Sequence, residues 1–241
     1  MQPMPKPRQS PSRVRARQRV RWRKWSLLLA LLMAALSLGL WRFIASHRPP
    51  TLPMAHRPIA VIDAGHGAIL ADGLLDTGAV WFGLREADLV MDLAQRLQAA
   101  LERRGWVAIL TRDGDATPFS LSGRTALARQ VGANVFVSLH LNSSPSPKPH
   151  GVSVFYWHPE SEPLAALLQR RLSQRLKLRD RGIQRDAFVV LLTATMPAVL
   201  VELGFLSNPQ EARRLSDPVF RAQAAEVIAA ALQEWWAKQG R

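Results

Sequence analysis

Residues 135–144 read VFVSLHLNSS, and the fold turns on how this stretch is read. Val135 to Leu139 are apolar but for Ser138, which marks an interior strand. The strand delivers His140 at its end, and the polar run Asn142, Ser143, Ser144 follows. Taken alone, His140 is an ordinary core histidine with a satisfied hydrogen bond, because His is intermediate in burial and needs no special role.

Working outward, the same grammar recurs. PIAVID (58–63) is a short β-branched run that enters the glycine-flanked loop AGHG. Residues 84–104 place Leu89, Leu93, Leu97, Ala100 and Leu101 at helical spacing, and Gly105 stops them. Strands are expected at 106–111, 134–140, 151–157, 187–191 and 197–205. Helices are expected at 121–132, at 162–178 and, one short and one long, within 208–238. Strands alternating with helices predict an α/β fold: a single domain with a mixed, mostly parallel sheet flanked by helices, preceded by one N-terminal transmembrane helix. In such sheets the loops leaving the strand C-termini build the site.

The charge of +14 suggests a nucleic-acid binder until it is mapped along the 241 residues. Nine Lys or Arg lie in residues 1–24, and the first acid in the chain is Asp63. From residue 49 onward 21 basic side chains face 18 acidic ones. The basicity belongs to the tail, which abuts the uncharged run from Trp25 to Trp41. That run is at the short limit of a membrane span, with Trp at both ends. Charge asymmetry puts the N-terminus in the cytoplasm and the bulk of the chain outside. The expected organisation is a basic tail (1–24), an uncleaved signal-anchor (25–44), a linker (45–57) and a catalytic domain (58–241). A cleaved signal peptide is the rival. No nucleic-acid partner is expected. The absence of Cys excludes thiolate zinc sites and cysteine nucleophiles.

Polar residues at the strand ends carry the chemistry. His66 follows the first strand, His140 ends another, and Glu202 sits inside VLVELGF, an otherwise apolar strand. Glu86 opens the first long helix. A charge in a buried strand is costly unless paired or metal-associated, so Glu202 is either salt-bridged to an arginine such as Arg112 or Arg185, or part of a site. Two His and a Glu form the ligand set of a catalytic zinc, which lowers the pKa of water toward ~7 and polarises a carbonyl. His66, Glu86 and His140 can serve as ligands and Glu202 as general base. Asp63 either orients His66 or caps a turn. Arg112 and Arg124 either fix local geometry or bind a carboxylate bidentately, with geometry the preferred reading. Asn142 and Ser143 shape the loop beside the metal. His150 and His158 read as surface residues.

VIDAGHG, LREADLVMDLA, LTRDGD, SGRTALARQVGANVFVSLHLNSS and MPAVLVELGFLSNPQE resemble, in order, the blocks of the zinc-dependent N-acetylmuramoyl-L-alanine amidase family of the amidase-3 type. The resemblance runs over about residues 58–238. It implies His66, Glu86 and His140 as Zn2+ ligands and Glu202 as the catalytic glutamate. It also implies peptidoglycan as substrate, with cleavage between the lactyl group of N-acetylmuramic acid and L-alanine. A non-catalytic wall-binding module and a zinc peptidase cutting within the stem peptide are the alternatives. Two departures stand out. The loop GAILADGLLDTGAV is longer than the family's turn, with Asp76, Thr77 and Gly78 at its end. The segments between 141 and 205 are short, which leaves no candidate for the autoinhibitory helical insert of regulated members. A monomer is expected, held at the cytoplasmic membrane through residues 25–44.

Overall fold

The computed structural model describes residues 57–240, with Met33 and Ser37 before them. Residues 1–50 and 51–241 form separate units. Of the first, Met33 and Ser37 are helical, and the Ser37 hydroxyl donates to the Met33 carbonyl. Otherwise the basic tail, the apolar segment 25–44 and the linker up to residue 56 lie outside the described residues. Among those described, no helix is long and apolar enough to cross a membrane.

The second unit follows in chain order as β1 (Ile59–Ala64), two short strands β2 (Val80–Trp81) and β3 (Leu84–Arg85), α1 (Glu86–Glu102), β4 (Val107–Leu110), α2 (Leu121–Gln130), β5 (Val135–Asn142), β6 (Val152–Tyr156), α3 (Glu162–Leu176), β7 (Asp180–Arg185), α4 (Val189–Leu192), β8 (Ala198–Phe205), α5 (Pro209–Ser216) and α6 (Pro218–Ala237). Six strands form one sheet in the order β4-β1-β5-β8-β6-β7. The first four are mutually parallel, β6 is antiparallel to β8, and β7 is parallel to β6. Parallel strands buried on both faces read as near-continuous apolar runs, which is why β1, β5 and β8 were visible in the sequence.

Side-chain alternation divides the sheet's packing in two. Ile62, Val137, Leu139, Val199 and Val201 face the larger core with Leu93 and Leu97 of α1, Leu168 of α3 and Ile228 of α6. Val61, Phe136 and Leu200 face a smaller core with Ala128 of α2 and Val190 and Leu191 of α4. On this second face the strands carry polar residues toward their C-terminal ends: Asp63 in β1, Ser138 and His140 in β5, Glu202 in β8.

The block LSNPQE builds the turn after β8. Asn208 caps α5 by accepting from Gln210 N and Glu211 N, with Pro209 in the first turn where no amide is needed. The buried Glu211 carboxylate turns inward and accepts from Gly151 N at 2.9 Å and Phe205 N at 2.7 Å, tying the end of β8 to the start of β6.

The expected strand at 187–191 is absent: Val189–Leu192 is a single helical turn. The strand lies upstream, in the polar segment Asp180–Arg185. Tertiary context explains the exchange. Val190 and Leu191 are needed as a plug on the smaller core, and Phe188 packs edge-on against Phe155 with centroids 5.1 Å apart. The sheet's edge needs only main-chain pairing with β6, and charged residues suit an exposed edge.

Candidate active site

His66 leaves β1 with φ 65°, a left-handed backbone that is uncommon for a side-chain-bearing residue and enriched in His, Asn and Asp. Two buried arginines hold this strained corner. Arg112 donates to the carbonyls of Ala64, Gly65 and Ala87 at 2.8–3.0 Å. Arg124 donates to the carbonyl of His66 at 2.8 Å and to Asp63 Oδ1 at 3.0 Å. Three successive carbonyls are thus fixed by two guanidinium groups.

Asp63 therefore does not touch His66, contrary to one sequence expectation. Its carboxylate is buried and also accepts from Thr111 Oγ1 and Ser138 Oγ, both at 2.7 Å, so it acts on His66 through Arg124. Arg112 is 4 % exposed with its guanidinium spent on backbone carbonyls, which removes it as a binder of substrate carboxylates. Breaking a buried pair by deleting one partner strands the other charge at a cost of roughly 3–5 kcal/mol. Arg124→Met is accordingly expected to lower the unfolding free energy by about that amount, measured by urea denaturation. A loss below about 1 kcal/mol would contradict the clamp.

Glu86 is the hub of the site. It opens α1 and is 4 % exposed. Its Oε1 lies 2.9 Å from His66 Nε2 and 3.1 Å from His140 Nδ1, and accepts from Leu141 N at 2.9 Å. Its Oε2 accepts from Ala79 N at 3.0 Å. Burial alone would raise this carboxyl. The hydrogen bonds and charges of His140 and His66 outweigh it and hold the group far below the ordinary glutamate range.

On its other side, His66 Nδ1 donates to the Asp76 carboxylate at 3.0 Å. Burial lowers the His66 pKa, yet Glu86 and Asp76 together raise it above the ordinary histidine value. Asp76 also accepts from Gly78 N at 3.0 Å. No sequence reading gave Asp76 this role. The only available signal was an acid ten residues beyond a candidate ligand histidine, at the end of an apolar loop. That loop folds back on itself through an Ile69–Leu75 bridge and Gly67 N donating to the Asp76 carbonyl, which brings the acid to the imidazole.

The arrangement fits a cation. With Nδ1–H donated to Asp76, a neutral His66 turns the lone pair of Nε2 toward a carboxylate oxygen. Two acceptors face each other unless a positive charge lies between or on them. Metal-bound histidines commonly donate their other ring N–H to a carboxylate in this way. Ligand atoms around a tetrahedral zinc at about 2.0–2.1 Å lie ~3.3 Å apart, close to the observed 2.9 and 3.1 Å. His66, Glu86 and His140 form the one group of three such side chains with converging ligand atoms among the described residues.

Glu202 stands directly across from His140 in the β5–β8 register. Its Oε2 is closed to solvent and has no hydrogen-bond partner. Neither arginine considered from sequence reaches it: Arg112 binds carbonyls, and Arg185 donates to the Trp157 carbonyl while stacking on the Trp157 ring. Burial pushes the carboxyl up to about 7; Glu86 adds to this, and the two histidines oppose it. Asn142 closes β5 with its side chain turned back to accept from Ser143 N at 2.8 Å, so it shapes the loop beside the site. Ser143 accepts from Trp81 Nε1 at 2.9 Å.

Comparison with known proteins identifies relatives of this chain. The family model described as N-acetylmuramoyl-L-alanine amidase (Amidase_3) matches residues 60–234. The N-acetylmuramoyl-L-alanine amidase LytC of Bacillus subtilis is 35% identical over 171 residues, which is 69% of this chain and 33% of that protein. The germination-specific N-acetylmuramoyl-L-alanine amidase of the same organism is 31% identical over 211 residues, covering 81% of this chain and 86% of that one. The chain spans about a third of the length of the first two curated relatives it matches. Among solved structures, the catalytic domain of CwlV, an N-acetylmuramoyl-L-alanine amidase from Bacillus (Paenibacillus) polymyxa, superposes with a TM-score of 0.69 at 34% identity, over 75% of this chain and 98% of that one.

Proposed function

The chain belongs to the N-acetylmuramoyl-L-alanine amidase family of the Amidase_3 type, and from that premise we propose that it hydrolyses the amide between muramic acid and L-alanine in peptidoglycan. The observation that carries the reading is the meeting of His66, Glu86 and His140 beside the unpartnered carboxylate of Glu202. The three converging side chains would hold Zn2+, which when bound polarises the scissile carbonyl and acidifies water.

The chain's own groups supply the rest. Glu202 takes a proton from the attacking water onto its carboxylate and returns it to the alanine nitrogen as the C–N bond breaks. Burial raises this carboxyl above the ordinary glutamate range, which favours its taking up the proton. Asp76 holds His66 by its Nδ1–H, which fixes the tautomer that leaves Nε2 for the metal. Arg124 and Arg112 keep the His66 corner in place.

Digestion of purified peptidoglycan followed by mass spectrometry tests the activity. Release of the intact stem peptide from muramic acid supports the amidase. Shortened stems would indicate a peptidase, and unchanged muropeptides a binding module. A chelator should silence the enzyme, and added zinc should restore it. Asp76→Ala is expected to weaken zinc binding about 10–100-fold, read by competition with a chromophoric chelator; unchanged affinity would remove Asp76 from the site.

The segments between β5 and β8 hold one long helix, α3, packed on the larger core, and the single turn α4. We therefore propose an enzyme active without an activator, and silence of the purified protein until a partner is added would overturn that. The apolar run 25–44, uncharged but for Arg42, supports a single-pass anchor with the domain outside the cytoplasmic membrane. Extraction of the full chain by detergent but not by alkaline carbonate is the expected result. A monomer is expected on sizing.

A further inference from the structure

Nine residues lie between Asp76 and Glu86, and they form a hairpin with an unusual tip. Its base is clamped on the metal ligands: Glu86 N donates to the Ala79 carbonyl at 2.9 Å, and a Cβ placed on Gly78 would come within 2.6 Å of the His66 ring. Val80 pairs with Arg85 and Trp81 with Leu84, leaving the two-residue turn Phe82-Gly83. Both turn residues have positive φ, 53° and 75°, the type I′ geometry that favours Asn-Gly. A bulky residue at positive φ is a true outlier, and such strain is retained chiefly at functional sites. Phe82 gains no burial in exchange: it is 59% exposed, beside Val80 at 55%.

The tip is also braced. The Trp81 indole reaches across to donate to Ser143, three residues beyond His140, and its ring lies 6.2 Å from that of Phe82. The hairpin thus spans from the Glu86 side of the site to the β5 side, with Phe82 exposed at its tip and the Trp81 ring half-buried behind it against the larger core.

We propose that the Trp81–Phe82 tip is a substrate-positioning platform that takes a sugar ring of the glycan strand next to the muramic acid being cleaved. This rests on the amidase reading above. A sugar presents a flat face of polarised C–H groups to the electron-rich face of an aromatic ring. The stem peptide carries carboxylates and would call for a cation, but the one cation in the hairpin, Arg85, is paired with Asp88 at 2.7 Å.

The test is Phe82→Asn, which installs the residue the turn prefers, with Phe82→Trp as the variant that keeps a ring. Phe82→Asn should raise Tm by about 3 °C while weakening binding of a peptide-free oligosaccharide of alternating N-acetylglucosamine and N-acetylmuramic acid, measured by calorimetry. On uncross-linked glycan chains kcat/KM should fall about tenfold, through KM. On a single N-acetylmuramoyl-peptide it should change less than about twofold. Phe82→Trp should retain binding. Unchanged oligosaccharide binding by Phe82→Asn, or an equal loss on both substrates, overturns the platform; the second result would place the peptide there instead. If the native protein cleaves neither substrate, the amidase reading fails and the oligosaccharide titration still decides the platform.

Discussion

Glu202→Gln is expected to lower kcat by about 10³-fold while zinc content and Tm stay at the native level. The exchange is nearly isosteric and removes only the group that accepts and returns the proton. Glu202 Oε2 has no hydrogen-bond partner to lose, so the fold has no reason to suffer. Burial is what raises this carboxyl to about 7, and an uncharged amide sits in the same position at lower desolvation cost. The measurement is single-turnover hydrolysis of a defined muropeptide, with metal analysis on the same sample. A rate near that of the native enzyme would remove Glu202 from the mechanism. His140→Ala, by contrast, should lose zinc as well as activity.

Gly78→Ala should be comparably damaging, although position 78 carries no chemistry. Its φ is +65°, and an added Cβ would lie 2.6 Å from His66 Cδ2 and 2.8 Å from Glu86 Oε2. Two ligands would have to move at once, against a backbone strained by about 1–2 kcal/mol. A displacement of about 1 Å at such a site costs on the order of 10²-fold in rate. The expected result is loss of zinc and at least that loss in kcat/KM, with far-UV circular dichroism unchanged because the sheet and its two cores lie elsewhere. Retained zinc and activity would show that the ligands are less tightly held than the geometry indicates. Gly65→Ala makes the same point for the third ligand, since its Cβ would fall 2.3 Å from His140 Cε1.

The parts legible in the sequence were those with local causes. β1, β5 and β8 declared themselves because strands buried on both faces leave no room for polar residues. For the same reason His140 and Glu202 stood out as anomalies, and His66 as a histidine between glycines. The helices α1, α3 and α6 showed in their apolar spacing. The strand β7 did not, because an edge strand is held by its main chain and its sequence, DRGIQR, has no inward pattern to show. The reverse error at 187–191 has the same root: β-branched residues were read as a strand, and the smaller core needed a plug.

Apolar strand runs alternating with amphipathic helices determined, from sequence alone, that the chain is an α/β domain, and polar residues at the strand ends marked His66, Glu86, His140 and Glu202 as its candidate site. Only the tertiary structure decided what holds those residues. Strand order and register set His140 against Glu202. Asp76 supports His66, Asp63 acts only through Arg124, and the Trp81 indole ties the aromatic hairpin to Ser143. Periodicity reports which face of a segment is buried. It carries no information about which distant segment supplies a hydrogen bond or a charge, because those contacts are made only once the chain has closed on itself.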